Sequence, residues 1–426
     1  MNNILQNFLL RVIYLPLVNF LNFISQLPLG FLPPKGVAFF KIKRNLPTIP
    51  KFGVAPILIH ASSGEIEYAR ALIRKIRAKN PEIPIVVSYS SPSAPALIAR
   101  MTEQVFATPL PLDTPQDMAN WLSQINPRLV VIAKTDLWPF FLLECRRLSI
   151  PTFLISLQLS KTPGFWQRMN LSFIKEIFVM DSSTQEILTE ENLNSSLAGD
   201  TRIDQALFRR QEKEKNLKVS RTAEFTGQDK NSTNSSDYKL RFIAGSTWPE
   251  DEEVFGQIIP KFKEIQFFIV PHEIHAEQIA QFRQNLEKHQ VSLELWSENK
   301  AKTSQVIIVD TWGILADLYQ TADVAFVGGS FRSKVHSVME PLVWGIPTFV
   351  GPYYKNNFEA LTFSEKKIAG IPVVQVSRDA EALSADLQKY VKLSKEELAG
   401  LKLSIRKLLE DSSGATDIVF SKIISS

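Results

Sequence analysis

From Pro56 onward, short apolar runs alternate with amphipathic stretches along most of the chain. Ile57–His60, Ile85–Ser90, Leu129–Ala133, Thr152–Ser156 and Ile177–Met180 have the length and composition of buried strands. The stretches between them, such as Ile66–Arg77 and Trp138–Leu148, carry apolar residues at helical spacing. Short buried strands separated by helices predict a parallel sheet covered on both faces. Gln211–Leu240 breaks the pattern: it is rich in Ser, Asn and Lys, almost without apolar periodicity, and reads as a linker or surface insertion. The alternation then restarts, with strands at Phe242–Gly245, Phe267–Val270, Val306–Val309, Val324–Val327, Thr348–Val350 and Val373–Val376. Helices are expected at Asp251–Ile265, His275–Lys288, Gly313–Gln320 and Ala380–Val391, and a last one, Asp411–Ser426, could cross back to the first domain. The expected fold is therefore α/β, with two doubly wound Rossmann-like domains and a ligand cleft between them at the carboxyl ends of the strands. The boundaries are a segment over 1–50, a first domain over 51–210, the linker over 211–240 and a second domain over 241–426.

The N-terminal segment follows neither pattern. Val12–Pro34 contains no charged residue, and Ile4, Leu5, Phe8, Leu9, Ile13, Leu17, Phe20, Leu21 and Phe23 add apolar bulk. A spanning helix needs about 20 apolar residues, and Pro16, Asn19, Asn22, Ser25 and Gln26 interrupt this one. No small-residue cleavage site follows, so a cleaved signal peptide is not expected. Lys35, Lys41, Lys43 and Arg44 come next and favour the cytoplasmic face beside anionic headgroups. An apolar helix on or in the membrane is one reading; a helix docked on the protein's own core is the other.

At 426 residues the chain exceeds one hydrophobic core, and its 45% hydrophobic and 22% charged content is that of a globular protein. A net charge of +4 gives no reason to expect a nucleic-acid partner. Cys145 stands alone, which excludes an internal disulfide framework and fits a reducing compartment.

Each candidate motif follows a strand. The run Val324–Glu340 reads as strand, Gly-Gly-Ser turn, loop carrying His336, and a helix entered at Glu340. Glycines bring backbone close to a ligand, a helix N-terminus favours phosphate, and Glu340 could accept both ribose hydroxyls; an ordinary tight strand–helix turn has the same signature. Glu65 follows Ile57–His60 at a helix start, where it is either a first-turn charge or a general base. Ser246 and Thr247 hold a phosphate or cap the acidic helix that follows. Pro271-His272-Glu273-Ile274-His275 lacks standard zinc spacing, and neither a metal nor a cofactor is expected.

Taken in order, these motifs resemble the 3-deoxy-D-manno-octulosonic acid (Kdo) transferases of lipopolysaccharide assembly. The resemblance covers nearly the whole chain. It runs through His60–Glu65, Leu110-Pro111-Leu112-Asp113, Asp136-Leu137-Trp138-Pro139, Leu159-Ser160, Gly199–Asp204 and Ala244–Thr247. It continues through Asp310-Thr311-Trp312-Gly313, Leu318-Tyr319, Ala322–Ser330, Glu340-Pro341, Gly351-Pro352 and Asn357-Phe358. It implies the glycosyltransferase B architecture and metal-independent, inverting transfer of Kdo from CMP-Kdo to a lipid A precursor of the lipid IVA type. It also implies a site on the cytoplasmic side of the inner membrane of a Gram-negative cell. Glu65 would be the base and Arg202, where the family has Lys, the cation that stabilises the transition state, with Lys134 beside them. CMP would be held by Ser246, Thr247, Pro271, His272, Trp312, Gly313, Ile314, Gly329, Ser330, Ser337, Val338, Met339 and Glu340.

The chain departs from that pattern in three places. Lys134 stands where the family has Glu, and Asp136 replaces a second acid. His272 replaces an Arg at the nucleotide phosphate, and a histidine at neutral pH is mostly uncharged unless its pKa is raised. Lys334-Val335-His336-Ser337 shortens a Gly-Gly-His-Asn loop. Lys134, Lys334 and His275 are candidates for restoring the missing charge. These departures keep two other readings open: a paralogue with another donor or acceptor, and a non-catalytic membrane-associated relative.

Overall fold

The computed structural model describes residues 6, 8–26, 34–219, 238–298 and 302–425. The expectations for Ile4 and Leu5, for residues 27–33 and for 220–237 of the polar linker lie outside them. The chain forms two compact units, Met1–Phe208 with Ser412–Ser426 and Arg209–Asp411.

In the first unit β1 (Ile57–His60), β2 (Ile85–Tyr89), β4 (Leu129–Ala133), β5 (Thr152–Leu157) and β6 (Glu176–Val179) form where apolar runs predict them. Two edge regions were not anticipated, β3 (Phe106–Pro109) and β7 (Ser195–Leu197). Both are partly exposed, so neither needs the continuous apolar run that marks a central strand. Among the described residues the seven strands are parallel in the order β3-β2-β1-β4-β5-β6-β7. Ile57, Leu58, Ile59, Val130 and Val131 are fully buried, each worth about 1.5–3 kcal/mol of transfer free energy. The order reverses between β1 and β4, and in doubly wound sheets ligands collect at the carboxyl ends beside that switch point.

The N-terminal segment is a single turn of π-helix at Leu10–Tyr14 followed by α-helix at Leu15–Gln26. Pro16 has no N–H to return to the carbonyl four residues back, which accounts for the irregular turn. Leu10 and Val18 are buried, Tyr14 and Leu15 pack on the core, and Tyr14 Oη donates to Asp113 Oδ2 at 2.9 Å. Val12, Ile13, Leu17, Phe20, Leu21 and Phe23 are exposed. The helix thus docks by one face and leaves its other apolar face outward. No described helix is long and apolar enough to cross a membrane.

The second unit repeats the plan, with β8 (Leu240–Thr247), β9 (Ile265–Pro271), β10 (Leu293–Leu295), β11 (Val306–Ile308), β12 (Val324–Val327) and β13 (Thr348–Val350). The short hairpin β14 (Lys367–Ile368) and β15 (Ile371–Pro372) precedes β16 (Val374–Val376). The parallel sheet runs β10-β11-β9-β8-β12-β13-β16, so its switch point lies between β8 and β12.

Several expected bounds change. Gln211–Val219, read as linker, is the second half of the helix Thr201–Val219; its Glu, Gln and Lys are good helix formers, and Arg210 pairs with Glu214 at i,i+4. The helix expected over Asp251–Ile265 spans Pro249–Ile258 and tightens to a 3₁₀ turn at Ile259–Lys261, where Pro260 lacks a donor. Gly313–Gln320 contains only the short helix Leu315–Leu318 and a 3₁₀ turn. The last helix, expected over Asp411–Ser426, is Ala415–Ile424; it follows an unanticipated helix, Lys395–Asp411, after a break at Gly414 with φ +105°. Asp204 accepts from the Gly414 and Thr416 N–H groups at 2.7 and 2.6 Å and so starts the last helix within the first unit.

Candidate active site

In the first unit the switch point carries a polar network. β1 ends at His60, whose imidazole is fully buried between Ser88 Oγ (2.9 Å from Nδ1) and Asp136 Oδ2 (3.0 Å from Nε2). A carboxylate can only accept, so Nε2–H is the donor to Asp136. Ser90 Oγ also donates to Asp136 Oδ2, at 2.5 Å, and lies 2.8 Å from Ser62 Oγ. Burial alone would raise Asp136, but the bond to His60, its charge and the Ser90 bond outweigh it and hold the carboxyl well below the usual carboxylate range.

Glu65 closes the 3₁₀ turn Ser63–Glu65 that leads from β1 into the helix Ile66–Lys79. Its carboxylate accepts weakly from Ser62 N–H and Thr135 Oγ1, both at 3.4 Å. Burial, reinforced by the Asp136 charge, pushes its pKa from 4.5 up to about 7, although these bonds and Lys134 pull the other way. A first-turn charge serving only the helix dipole would be solvated and ordinary. Glu65 is neither, and it matches the protonation range of a general base at neutral pH.

Lys134, just past β4, adopts φ +64°, a left-handed conformation unusual for a residue with a Cβ. Its ammonium lies 4.7 Å from the Tyr68 ring centroid and 3.6 Å from Met180 Sδ. Arg202 approaches the same ring at 5.5 Å, and its backbone N–H donates to Asp200 Oδ1 at 2.8 Å. Glu65, Lys134 and Arg202, far apart in sequence, therefore collect around Tyr68 and Asp136. Tyr68, Thr135 and Ser90 were not singled out in the sequence; Tyr68 was hidden because a buried aromatic at helical spacing reads as core.

The second unit's switch point is built differently. Gly329 and Ser330 are buried and already paired: Gly329 N–H donates to Asp251 Oδ2 (2.7 Å), and Ser330 Oγ donates to the Val327 carbonyl (2.9 Å) while accepting from Gly351 N–H (2.7 Å). A Cβ on Gly328 would stand 2.2 Å from the Ser246 carbonyl oxygen. These glycines admit the protein's own backbone, which corrects the expectation that they open space for a ligand. Thr247 is likewise buried, with its hydroxyl donating to Glu252 Oε1 at 2.9 Å.

Asp251, the first residue of the helix expected over Asp251–Ile265, is fully buried and also accepts from Trp248 N–H (2.9 Å) and Phe331 N–H (3.1 Å). Burial raises it to about 6 despite three backbone donors. His272 follows Pro271 and stacks on both Trp248 (4.7 Å between centroids) and His336 (4.5 Å). Trp248 Nε1–H donates to His336 Nε2 at 3.1 Å, which leaves the His336 proton on Nδ1. Burial, then the His272 and Lys334 charges, lower His336 to about 4. The Arg332 guanidinium covers Trp248 at 4.1 Å. Trp248 and Arg332 escaped notice in the sequence, since neither belongs to a spacing pattern.

The remaining predicted residues scatter. Trp312 is 67% exposed and Gly313 takes φ +87°, on the loop after β11 with half-buried Ile314. Val338 and Met339 are buried core, Ser337 is half-buried, and Glu340 is exposed on a helix of only one turn, Met339–Leu342. Ser246 is half-buried with φ +55°. His275 makes a surface pair with Glu273 at 2.9 Å.

The sequence model of a family described as 3-deoxy-D-manno-octulosonic-acid transferase (kdotransferase) matches residues 35–204. A 3-deoxy-D-manno-octulosonic acid transferase of Chlamydia trachomatis serovar A is 28% identical over 333 residues, 74% of this chain and 73% of the relative. One of Haemophilus influenzae is 24% identical, covering 80% of this chain and 81% of the relative. In fold, the chain is similar to a UDP-GlcNAc 2-epimerase of Neisseria meningitidis, with a TM-score of 0.60, 12% identity, and coverage of 87% of this chain and 100% of that one. The model match spans the segment that holds Glu65, Lys134 and Arg202, and the relatives extend the likeness across about three quarters of the chain: in sequence the chain is similar to the 3-deoxy-D-manno-octulosonic acid transferases.

Proposed function

We propose that this protein is a glycosyltransferase that moves Kdo from CMP-Kdo to a hydroxyl of a lipid A precursor of the lipid IVA type, with inversion and without a metal. The observation that carries this reading is Glu65: a half-buried carboxylate at the carboxyl end of β1, raised to about 7 by burial and by Asp136, with Lys134 and Arg202 nearby. In its ionised form Glu65 takes the proton of the acceptor hydroxyl. The acceptor oxygen attacks the anomeric carbon of Kdo while the bond to the CMP phosphate breaks from the opposite face, and the electron pair leaves with the phosphate. Arg202 and Lys134 are the fixed cations that meet negative charge growing on the leaving group. Asp136, anchored by His60 and Ser90, keeps Glu65 basic enough to act at neutral pH. The second unit is read as the CMP site, around Ser246, His272 and the loop at Trp312.

The outward apolar face at Val12, Ile13, Leu17, Phe20, Leu21 and Phe23, followed by exposed Lys41 and Arg44, supports a position on the cytoplasmic surface of the inner membrane. A second reading, a paralogue with another nucleotide sugar, draws on His272 being stacked against two rings where the family has an arginine. Incubation of the purified protein with labelled CMP-Kdo and lipid IVA, beside the Glu65→Ala variant, tests the proposal. Labelled lipid and free CMP formed by the wild type alone are expected. Consumption of a different nucleotide sugar, with CMP-Kdo left intact, would establish the second reading instead.

A further inference from the structure

A cavity of about 490 Å³ lies within the first unit, beside the docked N-terminal helix. Its lining includes Thr135 and Asp136, the residues that bond Glu65 and His60. Ile13, Leu17, Trp138 and Trp166 give it apolar walls. Its volume falls in the range of about 300–1,000 Å³ usual for small-molecule sites. The lining also contains a polar atom with nothing to bond: Asn170 is 8% exposed, its Nδ2 donates to the Leu137 carbonyl (3.4 Å), and its Oδ1 has no partner among the described residues. A buried acceptor left unpaired is costly, so the site favours a donor from outside the protein.

We propose that this cavity binds one aliphatic chain of the acceptor, with Asn170 Oδ1 receiving a hydroxyl or amide proton near the head of that chain, so that the acceptor alcohol is delivered to Glu65. The inference rests on the acceptor being a lipid. Two features select this occupant. The cavity includes the residues that bond Glu65 and His60, so a molecule seated in it has its head near Glu65. Its outer wall is the exposed apolar face of the helix, which Tyr14 fixes in place through Asp113, so the mouth opens where a chain would arrive from a bilayer.

The test uses the full chain and cis-parinaric acid, whose fluorescence rises on entering an apolar site. Saturable binding at one site is expected. Leu17→Arg, at a residue already 54% exposed, should weaken it about tenfold or more. Phe20→Arg, on the same exposed face but not lining the cavity, should leave it unchanged. In transfer assays Leu17→Arg should raise KM for the acylated acceptor at constant kcat and leave transfer to the chemically deacylated disaccharide unaltered. Asn170→Leu should do the same more weakly. Equal losses from Leu17→Arg and Phe20→Arg would mean a general adhesive surface and overturn the assignment, as would transfer to the acylated acceptor without saturable chain binding. Saturable chain binding by a wild type that transfers Kdo to no acceptor would overturn the proposed activity and leave the cavity assignment standing.

Discussion

The two sheets share one winding plan, yet their switch points do opposite things with a buried carboxylate. In the second unit Asp251 is enclosed and given three backbone donors, so it ties the turn after β8 to the Gly-Gly-Ser turn after β12. In the first unit Glu65 is half-buried and has only two long contacts at 3.4 Å, with another carboxylate beside it. A fully satisfied group holds structure, and an under-satisfied one in a poised protonation state is available for proton transfer. The same topology thus gives a chemical end in one unit and a packed, ring-lined end in the other.

The largest expected effect breaks this comparison at its chemical end. Glu65→Gln should lower kcat by about 10²–10⁴-fold, the usual range for loss of a general base. The fold should survive, because glutamine keeps an acceptor oxygen for the Ser62 N–H or the Thr135 hydroxyl. The sign of the stability effect is specific. A carboxyl raised from 4.5 to about 7 in the folded state favours folding when protonated and loses that advantage as pH rises through 7. Glu65→Gln should therefore unfold at higher denaturant than the wild type at pH 8, by on the order of 2 kcal/mol, with little difference at pH 5. Equal stability at both values would mean the carboxyl is not perturbed.

Asp251→Ala is the mirror experiment. It strips the partner from three N–H groups and should destabilise the second unit by about 3 kcal/mol, read as a lower midpoint in denaturant unfolding of the full chain. Any loss of activity should follow the unfolded fraction. Full activity loss with unchanged stability would place Asp251 in the chemistry and dissolve the contrast. A smaller effect is expected at the ring stack: Trp248→Leu removes the surface on which His272 and Arg332 rest. It should raise KM for the nucleotide sugar about tenfold, the scale of a lost stacking or cation–π contact, with kcat nearly unchanged.

What could be read from the sequence follows the same division. Central strands such as Ile57–His60 and Val324–Val327 were legible because burial on both faces forces a continuous apolar run. The edge strands β3, β7 and β10 were not, since half-exposed strands need no such run. Glu65 was singled out by its place at a helix start after a strand, Lys134 and Arg202 through motif resemblance, and the meeting of Lys134 and Arg202 at Tyr68 is a product of topology that no local spacing encodes. The glycines misled for a definite reason. Gly328 and Gly329 signal a close approach of something, and sequence does not say whether that is a ligand or, as here, the Ser246 and Lys334 carbonyl oxygens. Asp251 carried no signal of its role: an acid in a first helical turn has the same signature whether it is solvated or, as here, enclosed by a second turn.

The finest test of the chemical end uses two substitutions with opposite signs. The acid limb of kcat/KM should report Glu65 in the free enzyme, with half-maximal activity near pH 7. Asp136 raises Glu65 by its charge and Lys134 lowers it, so Asp136→Asn should move the limb to lower pH and Lys134→Met to higher pH, each by on the order of half a pH unit. Burial, the larger cause, remains in both variants, so Asp136→Asn should leave the limb above the ordinary carboxylate range. General distortion of the site would shift both variants the same way or flatten the profile. Limbs that move apart identify the ionising group as the carboxylate lying between these two charges, and limbs that coincide would assign the proton to some other residue.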